Sequence, residues 1–114
     1  YNKNKLNYTD ATSACGCLDT HLYMADSIDK YNLISYIVDF SDNVWIGLDD
    51  MATEGKYVWS GSGQSLDALL KPLIFDLFQP DNRNNEDCVF KQEYLGRLND
   101  AWCSLTMSYL CEKT

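Results

Sequence analysis

The spacing of hydrophobic positions changes part-way along the chain. In the first third, Ala11, Ala14, Cys15 and Leu18 recur at helical spacing. Thr9 and Asp10 stand just before most of them with side-chain oxygens able to accept the unsatisfied first-turn amides, so a first helix is predicted to open there. A second is predicted to open at Ser27, with Ile28, Tyr31, Ile34 or Tyr36, and Val38 spaced for an amphipathic face, and to stop by Ser41-Asp42-Asn43. From Val44 onward the apolar residues come in short blocks. Residues 44–48 and 56–59, joined by a polar turn, predict a hairpin, and residues 88–92, 98–102 and 108–112 predict closing strands. Helices first and strands after them imply an α+β fold, two helices with antiparallel sheets, rather than a wound parallel sheet. Between the hairpin and the closing strands lies a stretch from 60 to 87 that holds Gly61, Gly63, both prolines and the run Asp81-Asn82-Arg83-Asn84-Asn85. A loop that long inside a compact domain is either functional or disordered.

Composition narrows the reading. At 114 residues and 46% hydrophobic content the chain suits one ordinary core, so residues 1–114 are read as one domain. A formal charge of -8 speaks against nucleic acid and anionic membrane as partners, because both attract clustered Lys and Arg. No apolar run approaches the roughly 18 residues of a membrane span, and no basic start leads into an apolar stretch. The expectation is a secreted, extracellular protein whose secretion signal was removed before Tyr1. Cysteines at 15, 17, 88, 103 and 111 form no paired C-x-x-C knuckles, which fits an oxidising compartment, and their odd number leaves an interchain bond or a free thiol. Asn7-Tyr8-Thr9 is an N-glycosylation sequon, compatible with secretion.

Candidate chemistry gathers at the ends of the long stretch: Gln79-Pro80-Asp81, then Glu86-Asp87-Cys88, then Asn99-Asp100 before Cys103. Calcium takes about six to eight oxygen ligands, mixing carboxylates with amide carbonyls. Gln79, Asp81, Glu86, Asn99 and Asp100 supply about that number if Asp100 also lends its backbone carbonyl. A solvated acidic loop is the plain alternative. Glycoside hydrolysis needs two carboxyls about 5 to 9.5 Å apart with distinct acid and nucleophile roles, and nothing here separates the two. Ser104 and Thr106 lack a neighbouring His, while His21 beside Leu22 reads as a hydrogen-bonded structural residue. No enzyme is expected.

Taken in order, Trp45-Ile46-Gly47-Leu48, Gln79-Pro80-Asp81, Glu86-Asp87-Cys88, Asn99-Asp100 and Tyr109-Leu110-Cys111-Glu112 resemble the signature of the C-type lectin family, over nearly the whole chain. Residues 11–15 and His21-Leu22 are similar to the family's first-helix pattern. The resemblance implies a long calcium- and sugar-binding loop in which Gln79, Asp81, Glu86, Asn99 and Asp100 hold the ion and hydrogen-bond two vicinal sugar hydroxyls. Gln-Pro-Asp implies galactose or N-acetylgalactosamine. Arg83 stands where galactose binders of the family usually carry an aromatic shortly after that motif, and is expected to hydrogen-bond a sugar substituent. Leu98 replaces the family's usual Trp before Asn99-Asp100, which implies a core role for it. A second calcium position would draw on acids near Asp49, Asp50 and Glu54. The cysteines map as Cys15 with Cys111 and Cys88 with Cys103, leaving Cys17 facing solvent and available for a disulfide-linked homodimer. The expected function is calcium-dependent binding of galactose-type glycans, in agglutination or innate immune recognition. A lectin-like protein-interaction module without sugar binding, or a calcium-independent binder of acetamido sugars, is the alternative.

Overall fold

The computed structural model describes residues 1–76 and 87–113. Its elements are β1 (Asn2–Leu6), α1 (Tyr8–Gly16), β2 (Thr20–Leu22), α2 (Ile28–Ile37), β3 (Val44–Asp49), β4 (Val58–Trp59), α3 (Lys71–Ile74), β5 (Cys88–Lys91), β6 (Leu98–Ala101), β7 (Met107–Tyr109) and β8 (Cys111–Lys113). The main sheet runs β1-β7-β3-β5-β6 with β4 paired to β3, and β2 pairs with β8 in a separate ribbon. All pairings are antiparallel except β3 with β7, which is parallel. The α+β layout holds, with that one departure and a third short helix.

Strand β3 organises the core. All six of its residues are buried, because side chains alternate between the faces of a strand and both faces here are covered. Val44, Ile46 and Leu48 pack with Ile34, Trp59, Val89 and Leu98. Trp45 packs on the other side with Tyr8, Ala11, Cys15 and Tyr109, its indole N–H donating to the Leu6 carbonyl at 3.0 Å. Gly47 is required by closeness: a Cβ there would lie 2.7 Å from the Leu22 carbonyl oxygen, whose strand leads into the Tyr23 carbonyl that accepts from the Gly47 amide at 2.9 Å.

Helix α1 opens two to three residues earlier than expected. Its cap is Asn7, whose side chain accepts from the Asp10 amide at 2.8 Å, so Thr9 and Asp10 lie inside the first turn and do not cap it. Ala11 and Cys15 are buried as the pattern requires, whereas Leu18 falls beyond the C-cap and is 71% exposed. Helix α2 does open at Ser27, which accepts from the Lys30 amide at 3.1 Å. Of its expected apolar face, Ile34 is buried and Tyr31 half-buried, while Ile28 and Tyr36 are exposed.

Two disulfides tie the layers together. Cys15 of α1 bonds Cys111 of β8, and Cys88 of β5 bonds Cys103 just after β6. His21 is structural: Glu112 Oε1 accepts from its Nε2 at 3.1 Å, from the Met24 amide at 2.8 Å and from Lys30 Nζ at 2.9 Å. Although burial works against it, these hydrogen bonds hold the Glu112 carboxyl below the usual carboxylate range.

Candidate calcium and sugar site

Gln79, Asp81, Arg83 and Glu86 lie outside the described residues. Asn99 and Asp100 lie on β6, where Asn99 pairs with Phe90 and Asp100 with Val89 of β5. Asp100 is 2% exposed. Asn99 Oδ1 accepts from the Asp100 amide at 2.8 Å, and Asp100 Oδ2 accepts from the Tyr57 hydroxyl at 3.3 Å. The Cys88–Cys103 bridge, with Cα atoms 5.2 Å apart, fixes β5 against the end of β6. It thereby holds Asp87, next to one half-cystine, close to the strand that carries Asp100.

A second group of carboxylates forms where β3 ends. The Asp50 amide donates to the Asp87 carbonyl at 3.0 Å, continuing the pairing of Asp49 with Cys88. The chain then turns through 51–55 and returns: Gly55, at φ +81, donates its amide to Asp50 Oδ2 at 2.8 Å. That left-handed conformation suits glycine and places Glu54 back beside the start of the turn. Side-chain oxygens of Asp50, Glu54 and Asp87 all lie within 4.8 Å of one another. Asp49 does not join them; its Oδ2 accepts from the Tyr8 hydroxyl at 2.8 Å.

This cluster is electrostatically costly as it stands. Burial above all raises the Asp87 carboxyl from its ordinary value, with the charge of Glu54 adding to it and a hydrogen bond with Asp50 opposing. Burial likewise raises Asp50, against the lowering effect of the Gly55 amide and with the charge of Asp87 adding to it. Asp50 Oδ1 and Asp87 Oδ1 are buried with no hydrogen-bond partner. A buried acceptor left without a donor costs about 1–3 kcal/mol, more when charged. A bound divalent cation reverses this balance, since it favours the ionised carboxylates. The donors are hard oxygens without thiolate or imidazole, a set that fits calcium rather than zinc. The sequence left a second calcium position open, to be drawn from acids near Asp49, Asp50 and Glu54. The structure keeps Asp50 and Glu54, sets Asp49 apart and adds Asp87. The signal for Asp87 was its place in the acidic pair before Cys88.

The cleft of about 430 Å3 between α2 and the turn after β5, lined among others by Tyr31, Phe40, Lys91 and Leu95, contains none of the candidate ligands among the described residues. The candidate site does not depend on that cleft.

The sequence matches the family model described as the lectin C-type domain over residues 4–113. The chain belongs to the C-type lectin domain family. The family is one of non-enzymatic, carbohydrate-binding proteins. It is 33% identical over 96% of its length to the C-type lectin galactose-binding isoform of Hoplocephalus stephensii, covering 72% of that protein. With the CD209 antigen-like protein C of Mus musculus it shares 28% identity over its full length. It spans 62% of that relative and as little as 7% of others, such as the human C-type mannose receptor 2. Among solved structures, the mouse scavenger receptor C-type lectin carbohydrate-recognition domain superposes with a TM-score of 0.85 at 27% identity, over 100% of this chain and 87% of that one. In this C-type lectin domain the bridges Cys15–Cys111 and Cys88–Cys103 form as the family pattern implied, and Cys17 is exposed with a free thiol. No helix among the described residues is long and apolar enough to cross a membrane.

Proposed function

We propose that residues 1–114 act as one extracellular carbohydrate-recognition domain that binds galactose-type glycans through calcium. The principal ion is held by Gln79, Asp81, Glu86, Asn99 and Asp100, and a second by Asp50, Glu54 and Asp87. The observation that carries the calcium reading is the convergence of Asp50, Glu54 and Asp87 with two buried, unpartnered carboxylate oxygens. Calcium supplies open coordination positions that two vicinal sugar hydroxyls can fill. Around it the side chains divide the remaining work by chemistry. Gln79 and Asn99 each offer an amide N–H to a sugar hydroxyl, whereas Asp81, Glu86 and Asp100 accept from one. Exchanging amide for carboxylate at 79 and 81 would exchange donor for acceptor, so Gln79-Pro80-Asp81 selects the hydroxyl pair. The galactose-binding relative supports the same preference. Arg83 reaches for a ring substituent, which admits N-acetylgalactosamine.

Calorimetric titration of galactose and N-acetylgalactosamine against mannose and N-acetylglucosamine, each with calcium and with chelator, tests this. Binding of the first pair in calcium, lost in chelator, is expected. Binding that survives chelator would remove the metal mechanism. If no sugar binds, the protein-interaction reading takes its place.

The same proposal makes the lectin a disulfide-linked dimer through Cys17, which caps the C-terminus of α1 in an exposed position. Two sites on one dimer raise avidity for a multivalent surface by about 10²–10⁴ when the span fits, which suits agglutination or immune recognition of glycans. The dimer is expected on non-reducing electrophoresis, with Cys17→Ser giving monomer of unchanged single-site affinity and much weaker agglutination. A wild-type protein that runs as monomer with a titratable thiol would remove the dimer.

A further inference from the structure

The calcium and sugar reading leaves Asn7-Tyr8-Thr9 unused, the one Asn-x-Ser/Thr triplet in the chain. The fold accounts for two of its three residues. Asn7 caps α1 from extended backbone, at φ -70 and ψ 168, with Oδ1 accepting from the Asp10 amide at 2.8 Å and its carbonyl accepting from the Ala11 amide at 2.9 Å. Tyr8 is 1% exposed, meets Trp45 edge to face and donates its hydroxyl to Asp49. Thr9 is left over. It is exposed, and its hydroxyl makes no hydrogen bond among the described residues. A β-branched residue is also a poorer helix former than alanine or glutamate, so neither packing nor propensity gives a reason for it. A hydroxyl residue two positions after asparagine is what an N-glycosylation acceptor requires.

We propose that Asn7 carries an N-linked oligosaccharide on Nδ2 while Oδ1 keeps the helix cap. A side-chain amide has an acceptor oxygen and a separate NH2 group, so the two tasks fall on different atoms. Oδ1 is turned to the Asp10 amide, and Nδ2 makes no hydrogen bond among the described residues. The co-reactant is a lipid-diphosphate-linked oligosaccharide. Nδ2 bonds to the anomeric carbon of its first sugar, the carbon–oxygen bond to the diphosphate breaks, and the lipid diphosphate leaves with the bonding electrons. One Nδ2 proton is lost and the other N–H remains, with Oδ1 untouched. Transfer precedes the folding of this segment, because afterwards Tyr8 is buried and its amide donates to the Cys103 carbonyl at 3.0 Å. The folded surface then has room for the product, since Thr9 and Asp10 are both exposed. The inference rests on the extracellular reading above, which takes the chain through the compartment where such transfer occurs.

The test is export of the full chain from cultured eukaryotic cells as wild type, Thr9→Ser, Thr9→Ala, Asn7→Asp and Asn7→Ala. Each is mapped by mass spectrometry of its peptides before and after an amidase that cleaves the bond between glycan and asparagine. Wild type and Thr9→Ser are expected to carry the sugar at Asn7 and to lose it to the amidase, while the other three stay bare. Glycosylated wild type, Thr9→Ala and Asn7→Asp are expected to melt close together, because each keeps an oxygen at the cap, with Asn7→Ala about 4 °C lower. Wild type recovered from the medium with both disulfides closed and Asn7 bare would overturn the glycan and leave the extracellular reading standing. A glycosylated wild type that melts as low as Asn7→Ala would mean that the sugar displaces the cap, and would overturn the division of tasks between Oδ1 and Nδ2. A wild-type chain that the cells fail to export with its disulfides closed would overturn the extracellular reading and the glycan with it.

Discussion

Replacing Asp100 by alanine is expected to abolish calcium binding at the principal site and sugar binding with it, in a protein that still folds. Asp100 is 2% exposed on β6 and, of the two principal ligands among the described residues, is the one both buried and oriented by a hydrogen-bond donor. Its removal strips a full negative charge from the proposed ligand set of a divalent ion. Breaking a buried charge pairing costs about 3–5 kcal/mol, and each 1.4 kcal/mol is about tenfold in affinity. Calcium affinity should therefore fall by at least about a hundredfold, and galactose binding should be undetectable at the calcium concentration that saturates wild type. The fold loses less. Alanine leaves the Tyr57 hydroxyl without its acceptor, about 1–3 kcal/mol, against a typical domain stability of about 5–15 kcal/mol. Asp100→Asn keeps an acceptor for Tyr57 and should restore most of that stability without restoring calcium affinity. Circular dichroism with calorimetry of both variants separates the outcomes, and unchanged galactose affinity in Asp100→Ala would place the sugar site elsewhere.

Much of this structure was legible from period and spacing, and the failures have physical causes. Strand β3 was readable as a continuous apolar block because both of its faces are covered, and Ser27 was readable as a cap because its hydroxyl has an amide to accept. Strand β1 was missed. Its sequence Asn-Lys-Asn-Lys-Leu is exposed along an edge, so pairing with β7 is carried by backbone hydrogen bonds that leave no hydrophobic imprint. The three-residue β2 and four-residue α3 are too short to show a period at all. The predicted strand 108–112 is two strands in two sheets, Met107–Tyr109 and Cys111–Lys113, broken at Leu110. Lysine is mostly exposed in folded proteins, yet Lys91 is 2% exposed, its ammonium donating to the Asp39 and Phe40 carbonyls at 3.0 and 3.4 Å. Those partners sit in an irregular connection some fifty residues earlier, and no local pattern announces them. At the candidate site, ordered motifs pointed to Asn99 and Asp100, but the assembly of Asp50, Glu54 and Asp87 depends on the pairing of β3 with β5 and on the Gly55 turn. Neither is written in the spacing of the acids.

The two disulfides should prove separable, one serving the fold and the other the site. Cys15–Cys111 spans 96 residues, and in the chain-entropy model a loop of about 100 residues contributes about 4.7 kcal/mol. It also lies in the core, Cys15 at 0% exposure among Tyr8, Leu22 and Trp45, so its loss opens packing as well as the loop. Cys15→Ser/Cys111→Ser should therefore lose about 5 kcal/mol or more, enough to leave a domain of ordinary stability marginal or unfolded at 37 °C. Cys88–Cys103 spans 15 residues, worth about 3 kcal/mol on the same scale. Cys88→Ser/Cys103→Ser should melt higher than the first pair. Its calcium affinity should nevertheless fall, because Cys88 follows Asp87 and Cys103 lies three residues beyond Asp100, so both acidic groups are loosened at once. Denaturant titration in chelator reads the first difference. Calcium titration of whichever variants remain folded, at a temperature well below their midpoints, reads the second. If Cys88→Ser/Cys103→Ser keeps wild-type calcium affinity, the pairing of β5 with β6 alone holds the ligands, and the bridge is a staple for stability. If it loses affinity while remaining folded, the short bridge sets the site and the long one sets the fold.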